Sequence, residues 1–108
     1  MKRGTVVWVD LSDSHPSEMN KVRPGIVVSS EAHNQVLNTV VVVPTSTLAP
    51  EIPPLRLEVG EFADRQNFAV IPGIRQVRKS RLRGSLGQLE LERLRDLDRC
   101  ISVYLGGA

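Results

Sequence analysis

The stretch Thr39-Val40-Val41-Val42-Val43-Pro44-Thr45-Ser46-Thr47 decides how the rest of the chain is read. Four valines after a threonine suit a β-strand buried on both faces. Pro44 is expected to stop that strand, and three hydroxyls stand in a row where it ends. Upstream, Thr5-Val6-Val7-Trp8-Val9 is β-branched and aromatic, a strand signal ended by Asp10. Residues 12–21 are turn chemistry and polar, a loop of about ten residues and a candidate for function. Arg23-Pro24-Gly25 then leads into a second strand, Ile26-Val27-Val28-Ser29-Ser30, and residues 31–35 fit one helical turn capped by Ser30.

Downstream, residues 49–54 are too proline-rich for helix or central strand and read as a stiff connection. Leu55-Arg56-Leu57-Glu58-Val59 alternates strictly and is closed by Gly60. Short strands are expected at 68–71 and 74–78, on either side of Pro72-Gly73, and a further one at 81–86. Leu91, Leu94, Leu97, Ile101 and Tyr104 recur at helical spacing. Glu90 and Glu92 suit the start of that helix, and Gly106-Gly107 its end. The pattern is mainly β with a C-terminal helix, and without βαβ spacing it predicts a small antiparallel barrel closed by that helix. With 108 residues and no linker or repeat, residues 1–108 are expected to form a single domain.

One cysteine, Cys100, excludes an internal disulfide framework and a cysteine-rich zinc site. No apolar run approaches the roughly 20 residues that span a bilayer, and no signal-peptide pattern opens the chain, so a soluble cytoplasmic domain is expected. The formal charge is only +2, yet eleven of the fourteen bases are arginine. Residues 75–83 (Arg-Gln-Val-Arg-Lys-Ser-Arg-Leu-Arg) hold five bases and no acid, whereas acids gather at 51–64 and 90–98. A mild total thus conceals a positive face that attracts phosphate.

Local enzyme signatures are missing: no glycine-rich phosphate loop, no H-E-x-x-H, no G-x-S-x-G. His15 and His33 lie in expected loops and read as surface residues. Cys100, within the amphipathic helix, reads as a small buried hydrophobe rather than a nucleophile. Trp8 and Tyr104 read as core or interface residues. What remains is arginine and hydroxyl. If the strands beginning after Arg23 and ending at Thr45 pair, a guanidinium and the hydroxyls of Thr45, Ser46 and Thr47 converge at one end of the barrel. A guanidinium fork matches phosphate oxygens, and hydroxyls donate to a developing oxyanion.

At these residues the sequence resembles the MazF/PemK family, the toxin halves of bacterial toxin–antitoxin pairs. The resemblance runs along nearly the whole chain: Arg3 to Leu11, Pro16-Ser17-Glu18 followed by Val22 to Val28, Val42 to Ser46, the basic strand Ile74 to Leu82, and the closing helix. It implies an SH3-like barrel, shared with CcdB-like proteins, that forms a homodimer and cuts single-stranded RNA at short sequences without metal or cofactor. It further implies a 2′-hydroxyl attack that leaves 2′,3′-cyclic phosphate and 5′-hydroxyl ends. By motif, Arg23 would be the principal catalytic residue and Thr45 a hydrogen-bond donor to the same centre. Ser46 and Thr47 would help orient it, and Ser17 and Glu18 would sit in the loop over the site. Arg75, Gln76, Arg78, Lys79 and Arg81 would belong to the RNA-binding or supporting surface. The implied partner is a MazE-like antitoxin that lays an acidic tail across the basic site.

The sequence departs from the family pattern at Met19, where a glutamine is usual, and at Pro72-Gly73, where an acidic residue and glutamine are common. The competing reading, from the same barrel architecture, is a CcdB-like toxin that inhibits DNA gyrase by binding it and cuts nothing.

Overall fold

The structure, a computed structural model, describes residues 1–12, 22–48 and 50–107. Among the described residues, seven strands run in the order β1 (Thr5–Asp10), β2 (Val22–Val27), β3 (Thr39–Ser46), β4 (Arg56–Phe62), β5 (Arg65–Val70), β6 (Arg75–Arg78) and β7 (Leu82–Gln88). A short helix α1 (Glu31–Val36) lies between β2 and β3, and α2 (Leu91–Tyr104) closes the chain. All strand pairings are antiparallel, in the sheet order β4-β5-β3-β2-β1-β7, with β6 also on β3. The expected β-rich, helix-closed architecture is observed.

β3 is the hub because both of its faces and both of its edges are used. Val40 and Val42 join Val7, Val9, Val27 and Val77 in one apolar cluster. Val43 faces the other way, into a second cluster with Val6, Ile26, Leu57, Ala69, Leu94, Leu97 and Cys100. Alternation along a strand places successive side chains on opposite faces, so a run without a polar position can supply two cores. The α2 stripe of Leu94, Leu97 and Cys100 covers the second cluster. Burial first, then the carboxylates of Asp96 and Glu51, pushes the Cys100 thiol up, which keeps it protonated and unreactive at neutral pH.

One edge of β3 carries β2, and the other is divided between two strands. β6 pairs along residues 39–42, and β5 pairs at Thr45 and Ser46. The switch is a 3₁₀ turn, Ile71–Gly73, that packs on Pro44. A Cβ on Gly73 would lie 2.7 Å from Pro44 Cγ, so glycine is what lets the turn approach so closely. The Pro72-Gly73 departure therefore has a packing role in this chain.

Strand boundaries differ from expectation where prolines and turns read as stops. β2 begins at Val22, four residues early, and β3 continues through Pro44 to Ser46. Pro44 faces Gly25 in the last pair of the β2–β3 ladder, and the strand runs on past it to pair with β5. β4 runs past Gly60, which takes φ +112 at a bulge, to Phe62. Ala63 and Asp64 then form a two-residue turn with φ of +54 and +61. Both values are left-handed, the geometry of a tight hairpin, but neither residue is the usual glycine or asparagine. His33 lies in α1 rather than in a loop, and Ser30 caps that helix as expected, accepting from the His33 amide. At its end α2 is closed by Gly106 at φ +93, with its amide on the Val103 carbonyl.

Candidate active site

The site begins with a gap in the ladder. Pro24 faces Trp8 on β1, but pairing of β2 with β3 starts only at Gly25 and Pro44. A proline has no N–H, so toward β3 it offers a carbonyl alone. That carbonyl is taken by a side chain: Thr45 Oγ1 donates to it across 2.9 Å. The strands meet at Pro24 and Thr45, one residue from Arg23, through a hydroxyl in place of a backbone bond.

Thr45 is only 3% exposed, and its hydroxyl also lies 3.0 Å from Asn67 Oδ1, itself in a residue 2% exposed. The Asn67 amide nitrogen donates to the carbonyls of Phe62 at 2.9 Å and Arg65 at 2.7 Å. Two carbonyl partners fix which end is nitrogen, so Oδ1 must be the acceptor that faces Thr45. The single Thr45 proton is shared between Pro24 and Asn67, both within the protein. In this arrangement Thr45 holds strands together and does not present its proton to solvent.

In front of this buried network opens a cleft of about 250 Å³. Trp8 and Arg23 line it from the β1–β2 side, Thr47 from the end of β3, and Phe62, Arg65 and Asn67 from the β4–β5 hairpin. Arg23 and Arg65 are both exposed, and among the described residues neither is ion-paired. Two unpaired guanidinium groups, a hydroxyl and two aromatic rings describe a place for a phosphate beside a flat, unsaturated ring.

The remaining expected residues lie elsewhere. Ser46 accepts from the Leu48 amide at 3.0 Å, which shapes the turn after β3. Gln76 donates to Thr39 Oγ1 at 2.8 Å, at the far end of β3. Arg75 pairs in register with Val42, about 10 Å along the strand from Thr45. Arg78 and Lys79 are farther still, beside Thr39 and Asn38. Arg81 donates to the Ser12 carbonyl, and Arg83 pairs with Asp10 at 3.1 Å. Ser12 also bonds Asp10 through its side chain and its amide. Those bonds first, and then the charges of Arg83 and Arg81, hold the Asp10 carboxyl below the usual carboxylate range. The basic run of the sequence is therefore not part of the cleft, and its last two arginines tether the end of β1. Ser17 and Glu18, with His15 and Met19, lie outside the described residues.

Arg65, Asn67 and Phe62 carry no mark in the sequence. They reach the site because β4 and β5 are longer than their alternating cores, and the signal that marks such a hairpin, a glycine or asparagine in the turn, is missing.

Comparison with known proteins gives this geometry its relatives. Residues 2–105 match the family model described as PemK-like, MazF-like toxin of type II toxin–antitoxin system. The chain is 26% identical over 110 residues to an Endoribonuclease MazF of Staphylococcus saprophyticus, an alignment covering 98% of this chain and 92% of that one. Among solved structures it is similar to a mycobacterial endoribonuclease in complex with its cognate antitoxin, at TM-score 0.82, 23% identity, 98% of this chain and 95% of that one. A MazF crystal structure from Deinococcus radiodurans gives TM-score 0.82 at 20% identity, with 98% and 96% covered.

Proposed function

This chain belongs to the PemK-like, MazF-like toxins of type II toxin–antitoxin systems, and from that premise we propose that it is a metal-independent, sequence-specific endoribonuclease acting on single-stranded RNA. The observation that carries this reading is the cleft that sets Arg23 and Arg65, unpaired among the described residues, against a buried Thr45–Asn67 network. The ribose 2′-hydroxyl attacks the adjacent phosphorus. The 2′-O–P bond forms as the P–5′-O bond breaks, and the proton lost by the 2′-oxygen is balanced by one gained at the 5′-oxygen. The products are a 2′,3′-cyclic phosphate and a 5′-hydroxyl.

In this reading Arg23 is the catalytic residue, its guanidinium steadying the charge that gathers on the pentacovalent phosphate. Arg65 supplies a second cation across the cleft, and Thr47 a hydroxyl donor. Thr45 fixes the strand that carries Arg23. Arg78 and Lys79 extend the field along which the RNA backbone runs. The functional unit is a homodimer in the cytoplasm. Mycobacterial and Deinococcus relatives are solved in complex with antitoxins, and in this reading the antitoxin of this chain covers Arg23 and Arg65 with an acidic segment. The valine-rich strands are filled within one chain, so the dimer contact must come from other surface.

The test is cleavage of long single-stranded RNA in EDTA with analysis of product ends. Discrete cuts ending in cyclic phosphate and 5′-hydroxyl are expected. Intact RNA together with inhibition of DNA gyrase would return the CcdB-like reading, which the family match does not favour.

A further inference from the structure

We propose that Asn67 is a positioning residue of this site, one buried carboxamide that fixes both walls of the cleft. The proposal rests on the nuclease reading above. Three directed bonds carry it. Asn67 Oδ1 accepts from Thr45, whose hydroxyl also holds the Pro24 carbonyl, and Pro24 follows Arg23 directly in β2. Asn67 Nδ2 donates to the carbonyls of Phe62 and Arg65, on either side of the Ala63-Asp64 turn. One wall is thereby tied at the backbone next to Arg23, and the other at the backbone of Arg65.

The location explains why a side chain is needed. Pairing between β2 and β3 stops short of Pro24, and β3 touches β5 only at Thr45 and Ser46. The two ladders end at Gly25–Pro44 and Ser46–Phe68, one residue short of Pro24 and of Asn67, and this chain of bonds carries the connection on to the backbone beside Arg23 and that of Arg65. The hairpin turn itself holds two non-glycine residues at positive φ. Such a turn persists where its surroundings over-determine it, and the two bonds from Asn67 Nδ2 supply that constraint. Asn67 is itself 2% exposed, and its loss leaves the Phe62 and Arg65 carbonyls without their amide donor and the Thr45 hydroxyl with the Pro24 carbonyl alone.

A guanidinium displaced by a fraction of an ångström binds phosphate nearly as well but meets the transition state poorly. The expected signature is thus in kcat. Asn67→Ala and the isosteric Asn67→Asp, which keeps the acceptor and loses the N–H donors, are each expected to lower kcat about tenfold or more. Affinity for the cleaved sequence made with 2′-O-methyl riboses should stay within about threefold, because the RNA-facing groups remain. Thr45→Val should lose kcat in the same way. The Thr45→Val/Asn67→Ala double variant should be no slower than the slower single, since both break one chain of bonds.

Losses that multiply in the double variant would overturn the proposal, as would a folded Asn67 variant with kcat within about twofold of wild type. A defect confined to RNA affinity would do the same. Failure of both Asn67 variants to fold would assign the residue to the fold alone and also overturn it. Arg23→Ala in parallel separates the two claims. Full activity of Arg23→Ala would defeat the nuclease reading itself, whereas a dead Arg23→Ala beside an active Asn67→Ala would defeat only the positioning role.

Discussion

The basic run and the cleft treat arginine in opposite ways. The basic run, residues 75–83 in β6 and the start of β7, holds five basic residues in nine positions, and the local structure takes up several of them. Arg81 bonds the Ser12 carbonyl and Arg83 pairs with Asp10. The cleft at the Thr45 end is lined by Arg23 and Arg65, far apart in sequence, and among the described residues neither is ion-paired. The difference teaches that basic density in a sequence measures field, whereas a site needs cations with no internal partner. It also needs backbone that has been opened, and prolines do the opening here: Pro24 ends the ladder to β3, and Pro44 gives the 3₁₀ turn its seat.

The sharpest way to break this contrast is to remove Arg23. Arg23→Ala is expected to lower kcat by about two to three orders of magnitude, as for other groups that meet transition-state charge, and steady-state cleavage kinetics measure it. Next in size, Gly73→Ala drives a methyl against Pro44 and should destabilise the fold by about 1–3 kcal/mol in urea unfolding, because the rigid proline ring cannot swing away to relieve the overpacking. Arg78→Ala and Lys79→Ala test the basic run. Each cation withdrawn from the phosphates of a single strand should flatten the slope of log K against log salt by about 0.7, with kcat at saturating RNA unchanged.

The smallest effect expected is on Asp10. Its carboxyl is held below the ordinary range, first by Ser12 and then by Arg83 and Arg81. A depressed folded-state value means the contribution is present above the unfolded pKa, near about 3.9, and is lost as pH falls through the lower folded value. Asp10→Asn should therefore melt slightly earlier than wild type at about pH 7, with the gap closing in strongly acid buffer. A gap that persists there would show that Ser12 and the arginines are not held by charge.

Much of the fold is legible in the sequence because it follows from period and burial. The four valines specify a strand with two buried faces, Ser30 caps its short helix, and the leucine spacing of α2 sets the face that covers Val43. What is not legible is set by tertiary pairing. Pro24 and Pro44 look like stops, and they are strand residues because no N–H is needed at the positions where they pair. The β4–β5 hairpin reads short because Ala63-Asp64 lacks the glycine or asparagine that usually marks such a turn. Its hidden length is what delivers Arg65 and Asn67. Of the site, the Arg23–Thr45 juxtaposition is visible in the sequence, but the destination of the Thr45 proton is not. A hydroxyl after a strand reads alike whether it faces solvent or a buried amide.

The most direct test of the contrast is a crossed single-turnover experiment in EDTA, with Arg23→Ala on one side and the Arg78→Ala/Lys79→Ala double variant on the other. The first is expected to lose rate at nearly unchanged RNA affinity, and the second to lose affinity at nearly unchanged rate. A loss of rate in the Arg78→Ala/Lys79→Ala variant with Arg23→Ala unimpaired would contradict the division of labour between the cleft and the basic run.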